Sequence, residues 1–273
     1  MLSSRILVAA VLLPVGLLLF YLGGPVFTAF VALVLGLAAW EFGRLFQAAG
    51  FQPAIWLGAA GAALLALGRA WDGFASAPWL LTLFVLAAMT THLVAYERGR
   101  DLAGTDFAIT LAAGVYLGWL GAYLVSLRSL PGGFWWLLLV LPAVWLADSG
   151  AYFIGRSLGK RRLSPRLSPK KTWEGYLGGV LIGTLGAVGL AALWKVWAGP
   201  EFAITYWQAG LLGLVLSTVT TLGDLGESMI KRQAGMKDSG SLLPGHGGVF
   251  DRIDSWLWAA PIGFYFIVWV VGV

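Results

Sequence analysis

The sequence predicts an all-α, polytopic integral membrane protein with about nine transmembrane helices, or eight if the third is lost. Three observations lead to this. Of 273 residues, 59% are hydrophobic and only 11% are charged, and the mean hydropathy is +0.82. Such composition lies far outside that of soluble domains. Apolar stretches long enough to cross about 30 Å of hydrocarbon recur along the chain. No long polar segment separates them, so no separate soluble domain is expected. Lipid offers the backbone no hydrogen-bond partners, so each crossing reads as a helix.

In order, the expected spans are 5–22, 26–46, 53–68, 78–96, 105–127, 133–155, 173–198, 205–230 and 252–272. The first has Arg5 ahead of an apolar run to Leu22 and no small-residue cleavage site before Pro25. It reads as a span, not a removed signal. The third is short and rich in Ala and Gly. In the second, Glu41 and Arg44 stand i,i+3 and can pair, a structural role. His92, near the end of the fourth, reads as a packed or interfacial residue. Trp135, Trp136, Trp207 and Trp256 belong to interface belts and lipid-facing bulk. We divide the chain into N-terminal helices, 1–130, and a C-terminal part, 131–273, with polar loops 156–172 and 231–251 that hold the candidate site residues taken up below.

With nine spans, 15 of the 18 Lys and Arg fall on one side and three (Arg69, Arg128 and Lys195) on the other. The positive-inside rule puts the N-terminus in the cytoplasm and both basic loops with it. The expected location is the inner (plasma) membrane, as a multi-pass protein. The net charge of +5 then reflects loops facing anionic lipid, with no nucleic-acid partner. The chain has no Cys, which excludes disulfides and thiolate metal sites.

Polar residues concentrate between 224 and 254: Asp224, Glu227, Ser228, Lys231, Arg232, Lys237, Asp238, His246, Asp251, Arg252 and Asp254. Ionisable groups at a membrane are costly and mark function. On a continuous helix, Asp224, Ser228 and Lys231 form one stripe with Glu227 beside it. Pro244 to Gly248 holds one Pro and three Gly and reads as a tight turn with open amides. Asp224 and Asp251 are thereby expected to meet at neighbouring helix ends. Paired carboxylates with Lys, Arg and open amides suit a Mg²⁺–phosphate site.

Asp148 lies inside the sixth span, on one face with Tyr152. It needs a cation, a metal or water, and is either ion-paired with the following loop or a further candidate metal ligand. The loop after it carries Arg156, Lys160, Arg161, Arg162 and Arg166. It ends Ser168-Pro169-Lys170-Lys171-Thr172-Trp173-Glu174-Gly175, with Thr172 as N-cap candidate. A helix N-terminus beside two Lys is an anion site. In the seventh span Gly175, Gly179, Gly183, Ala187 and Ala191 recur every four residues. That stripe suits close packing within the chain or across a homodimer. No P-loop or zinc-ligand spacing is present.

The run Ser228-Met229-Ile230-Lys231-Arg232, Lys237-Asp238, Gly240, Leu243-Pro244, His246-Gly247-Gly248, Asp251-Arg252 and Asp254 resembles the signature of the phosphatidate cytidylyltransferases (CDP-diacylglycerol synthases). The segment Ser168 to Gly175 resembles the same family. The likeness covers about residues 145–255; the first half matches only in having several spans. It implies the reaction CTP + phosphatidate → CDP-diacylglycerol + pyrophosphate at the cytoplasmic face, with membrane lipid as partner. It also implies Mg²⁺ held by Asp224 and Asp251, with a second cation as a further candidate. In this reading Asp224, Asp251, Lys231 and His246 are the catalytic group, with Lys231 also on phosphate; Ser168, Lys170, Lys171, Thr172, Arg232 and Lys237 contribute to substrate binding, and Arg252 takes the lipid phosphate. The amides of Gly247 and Gly248 cradle phosphate, and His246 donates to the leaving group. Ser228 is a ligand or hydrogen-bond donor, and Glu174 caps its own helix or orients a Lys. Asp238 and Asp254 order the basic side chains. Two alternatives stay open: another CTP-dependent lipid enzyme (a polyprenol kinase or an ether-lipid cytidylyltransferase), and a transporter, although no repeat relates the two halves.

Overall fold

The structure is a computed structural model that describes residues 14–240, 242 and 247–273. Among these, seven helical stretches are long and apolar enough to cross a membrane. They begin with α1 (Gly24–Ala48) and α3 (Ala77–Glu97). The third is α4 (Ala103–Ala112), which continues through a π-helical stretch, Ala113–Trp119, to α5 (Tyr123–Ser129). Next come α6 (Gly133–Leu158) and α7 (Trp173–Trp194). In the sixth, α8 (Tyr206–Val219) runs almost directly into α9 (Thr221–Gln233). The seventh is α10 (Phe250–Phe266) with a final π-helical turn, Ile267–Val271.

The protein is thus an all-α, polytopic membrane protein. Two of the nine expected spans differ from the rest. The third is a helix, α2 (Ile55–Asp72), of 18 residues, but Arg69 and Asp72 keep it outside the apolar set. Of the first, residues 14–22 are helical and the remainder lies outside the described residues. A feature not expected is a small antiparallel hairpin in the basic loop, β1 (Arg162–Ser164) and β2 (Ser168–Thr172). Its strands are only 3 and 5 residues long, too short for period-two patterning to register.

The chain forms two compact units. One comprises residues up to Ser126 together with Ile230–Ile253; the other comprises Leu127–Met229 with Asp254–Val273. In the first, glycine lets apolar side chains wedge between helices. The Phe84 ring lies where a Cβ on Gly61 or Gly114 would sit, at 2.8 and 2.3 Å. Gly118 faces the backbone of Ala62, at 2.5 Å from the place its own Cβ would take. Arg69 is buried and its guanidinium lies over the rings of Phe74, Trp119 and Tyr123, 3.6, 4.9 and 4.7 Å from their centroids. Asp106, wholly buried, accepts from Arg100 and from the Gln52 amide, both at 2.7 Å. His92 is buried and bonds the Thr110 hydroxyl at 2.9 Å, a packed role.

In the second unit the small-residue stripe of α7 is spent within the chain. Cβ atoms on Gly175 and Gly179 would meet the carbonyls of Ala151 and Ala147 on α6, each at 2.7 Å. A Cβ on Gly183 would meet Ser217 of α8 at 2.1 Å. All five stripe residues are buried. Close backbone approach is the physical use of such stripes in lipid, where hydrophobicity cannot drive helices together.

Gly118→Ala is expected to destabilise the protein by about 1–3 kcal/mol, because the obstacle is backbone and cannot rotate away. Gly189→Ala meets nothing within 4 Å and is expected to be neutral or stabilising by up to about 1 kcal/mol. Thermal unfolding in detergent micelles reads both; equal midpoints for the two variants would contradict the packing described.

Candidate active site

The second unit carries an acid cluster built by helix geometry. Asp224 and Glu227 stand three apart on α9 and share a face. Asp254 joins them from α10. Gly223 makes this possible: a Cβ there would lie 2.7 Å from the Asp254 carbonyl oxygen and from the Trp258 ring. With no side chain at 223 the two helices touch, and three carboxylates come within 4.8 Å of one another. Glu227 is buried, while Asp224 and Asp254 are half-buried. The Ser255 amide donates to Asp254 at 2.7 Å.

Lys171 supplies positive charge. It forms an ion pair with Asp224, and the charges of Asp148, Asp254 and Glu227 act on it as well. Burial pulls the Lys171 ammonium below its ordinary value, and those three carboxylates pull it back up. The local sequence fixes its place. Thr172 is extended and its hydroxyl accepts from the Gly175 amide at 3.2 Å, which starts α7. Lys171 is the residue before that cap. The hairpin is closed by Glu174, whose carboxylate accepts from the amides of Lys160 at 3.0 Å and Arg161 at 3.1 Å. Glu174 also bonds its own backbone amide in the first turn of α7, so it serves its own helix end and ties the loop back to α7 at once. Ser168 opens β2, and Lys170 on the same strand is exposed. So are Lys160, Arg161, Arg162 and Arg166.

The acids that stand with Asp224 are therefore Glu227 and Asp254, neither of which the motif reading names as a metal ligand. Their signal was present: 224 and 227 have helical i,i+3 spacing. What spacing could not reveal is the contact at Gly223. Asp148 lies outside this triplet, though its charge acts on Lys171. Ser228 is half-buried on α9.

Asp251 and Lys231 belong to the first unit, where they pair at 2.6 Å. The Asp251 carboxylate also accepts from the Ser239 amide, the Ser239 hydroxyl and the Gly248 amide, each at 2.8 Å. The Gly248 amide, expected to face phosphate, is thus donated to Asp251. Gly247 has φ +81°, a left-handed turn that glycine tolerates without cost, and a Cβ there would meet Asp251 at 2.6 Å. His246 lies outside the described residues. Arg232 closes the end of α9 with a 3.4 Å bond to the Met236 carbonyl, and Lys237, Asp238 and Arg252 are exposed.

Glu41 departs from expectation. It does not pair with Arg44, which is exposed and donates to Gln47 at 2.9 Å. The reason is burial: Glu41 is 1% exposed and faces the protein interior. It accepts from the Phe250 amide at 2.9 Å and lies 3.1 Å from the Ser239 hydroxyl, whose single proton it shares with Asp251.

A bundle of apolar helices that gathers carboxylates and a lysine beside a basic hairpin defines a membrane-embedded enzyme handling charged groups. The particular family follows from comparison: a profile described as the cytidylyltransferase family matches residues 3–270, and the chain belongs to that family. It is 39% identical to the phosphatidate cytidylyltransferase of Pseudomonas aeruginosa, over 100% of this chain and 98% of the relative. It is 36% identical to that of Synechocystis, over 97% and 96%, and 40% identical to that of Bacillus subtilis, over 69% and 67%.

Asp224→Asn, Glu227→Gln and Asp254→Asn are each expected to lower turnover by about 10²-fold or more, the scale on which single electrostatic groups act in transition states. Steady-state assays on protein that elutes as a folded species in detergent check this; near-normal rates in all three variants would remove the cluster from the chemistry.

Proposed function

We infer that the chain transfers the cytidylyl group of CTP to phosphatidate, yielding CDP-diacylglycerol and pyrophosphate, and that the Asp224–Glu227–Asp254 cluster with Lys171 is where charge is managed. Family membership over nearly the whole chain carries the activity. The gathering of three carboxylates within 4.8 Å carries the location. The chemistry fits the setting: one substrate has two acyl chains and stays in the bilayer, while the other is a water-borne polyanion.

The cluster fits a divalent cation. Its donors are hard carboxylate oxygens, which suit Mg²⁺, and one of them, Glu227, is buried. Asp224, Glu227 and Asp254 would hold the ion, with Asp148 close enough in charge to bear on the same region. When bound, Mg²⁺ neutralises phosphate charge and orients the transferred group. A second cation remains part of the proposal.

The protein's own residues do the rest. A phosphatidate phosphate oxygen attacks the α-phosphorus of CTP; the bond from that phosphorus to the bridging oxygen breaks, and pyrophosphate leaves. The second ionisation of a phosphate monoester lies at about pH 6, so the nucleophile is already anionic and needs no strong general base. What the chain must supply is alignment and countercharge. Lys171, which pairs with Asp224, is proposed to bind substrate phosphate. Lys170, Lys231, Arg232, Lys237 and Arg252 are proposed as further phosphate contacts, with Ser168, Thr172 and Ser228 as hydrogen-bonding neighbours.

The positive-inside count supports a cytoplasmic N-terminus in the inner membrane, with the hairpin also on that side. The absence of Cys makes a direct test simple. In cells, Arg166→Cys is expected to resist a membrane-impermeant maleimide that labels Trp197→Cys, and inverted vesicles should reverse the pattern. The opposite labelling would invert the topology.

For the activity itself, purified protein given CTP, phosphatidate and Mg²⁺ should release pyrophosphate in step with CDP-diacylglycerol. Chelation should abolish both, and Mg²⁺ should raise the thermal midpoint of wild type but not of Asp224→Asn. Product carrying one added phosphate and no cytidine would sink the transfer reading. A Mg²⁺ shift preserved in Asp224→Asn would remove only the metal assignment.

A further inference from the structure

Glu41 is a carboxylate inside an apolar helix, 1% exposed, and nothing on its own helix pairs with it. Its partners lie 198 and 209 residues away: the Ser239 hydroxyl and the Phe250 amide, both on Oε2. Oε1 has no hydrogen-bond partner among the described residues. Backbone is pressed against the group from two sides. A Cβ on Gly240 would sit 2.6 Å from Oε1, and one on Gly248 would sit 2.3 Å from Oε2. Next to it, the Phe42 and Phe250 rings stack edge-on with centroids 6.0 Å apart.

The two groups that Glu41 holds are the ones that define Asp251. Ser239 gives Asp251 an amide and a hydroxyl contact, and Phe250 is the residue before it. Asp251 in turn carries Lys231. Apolar packing of Phe42 on Phe250 could fasten the start of α10 without a buried acid. Ionisable groups at membrane depth are expensive and mark function by default.

We propose that Glu41 is a positioning residue for the transfer reaction. By accepting from the Phe250 amide and sharing the single Ser239 hydroxyl proton with Asp251 it fixes the geometry of Asp251 and, through it, of Lys231. This rests on the cytidylyltransferase reading and adds a residue that no motif of the sequence contains. Its role is hydrogen-bond acceptance, so the isosteric amide should replace it.

The test uses the full chain in detergent with CTP, phosphatidate and Mg²⁺. Glu41→Ala is expected to lower kcat by on the order of 10²-fold, as misplacement of reacting groups by about 1 Å does, with KM for CTP unchanged to within about threefold. Glu41→Gln is expected to recover turnover to within about tenfold of wild type, because its amide oxygen still accepts both bonds. Phe42→Leu serves as the packing control, lowering the thermal midpoint but not kcat. Where Glu41→Ala does not fold, Glu41→Asp, which withdraws the carboxylate by one methylene and leaves the Ser239–Asp251 contacts in place, must show the kcat loss. Normal turnover in whichever of the two is read, or loss that only follows the folded fraction, overturns the proposal. So does a Glu41→Gln variant no better than Glu41→Ala. Wild-type protein that forms no CDP-diacylglycerol overturns the transferase reading beneath it, whereas active wild type with an unimpaired Glu41→Ala overturns the positioning role alone.

Discussion

A carboxylate carried into an apolar helix bundle must find compensation there, and this constraint shapes the polar architecture of the chain. Three solutions recur. Asp106 is held by an arginine and a backbone amide. Asp251 is held by a lysine, two amides and a hydroxyl. Asp224, with Glu227 and Asp254 nearby, pairs with Lys171. Apart from Arg100, six residues from Asp106, the compensating groups come from a dozen or more residues away or from nearby backbone amides. An Asp or Glu left without them would lose several kcal/mol in so poorly hydrated a setting, so these contacts decide where the helices and loops can go.

Glycine is what lets the compensation happen. Hydrocarbon solvates leucine as well as a protein core does, so helices in lipid hold together through close fit. The fit is closest where a side chain is missing. Gly223 sets α9 against α10 and so assembles the acid cluster; Gly175, Gly179 and Gly183 set α7 against its neighbours and so bring the Lys171 end of the hairpin to the same unit. Gly240 and Gly248 make room for the Glu41 carboxylate. Some of the glycines that read as a phosphate cradle in sequence thus serve carboxylates of the chain itself.

Much of this was legible beforehand. The spans followed from hydropathy, since twenty apolar residues have one stable form in lipid. Thr172 was legible as an N-cap because an extended Thr before an apolar helical run has a local reason to bond the third amide. Asp224 was legible because charge is rare in so apolar a chain. Glu227 and Asp254 are visible in the sequence as charges but not as a pair, because their meeting depends on a contact between two helices and not on spacing along either. Glu41 was read with Arg44 because i,i+3 neighbours are all a sequence can offer; its true partners are some 200 residues away. The hairpin was missed because strands of 3 and 5 residues in a basic loop carry no apolar alternation.

Hydrogen-bond saturation separates two kinds of acid that motif reading treats alike. Asp251 accepts from four donors fixed by backbone, a hydroxyl and Lys231. A carboxylate so occupied organises the polypeptide around it, and drawing it to a metal would strand those donors at a cost of about 1–3 kcal/mol each. Asp224 is held chiefly by one flexible lysine, whose burial already weakens its hold on the proton and whose ammonium can swing aside. A cation arriving at the Asp224 cluster would displace a side chain; at Asp251 it would have to dismantle a loop. The same signature thus divides into an acid whose one lysine partner is a side chain and an acid enclosed by loop backbone, and the difference lies in what surrounds each group, not in its place in the motif.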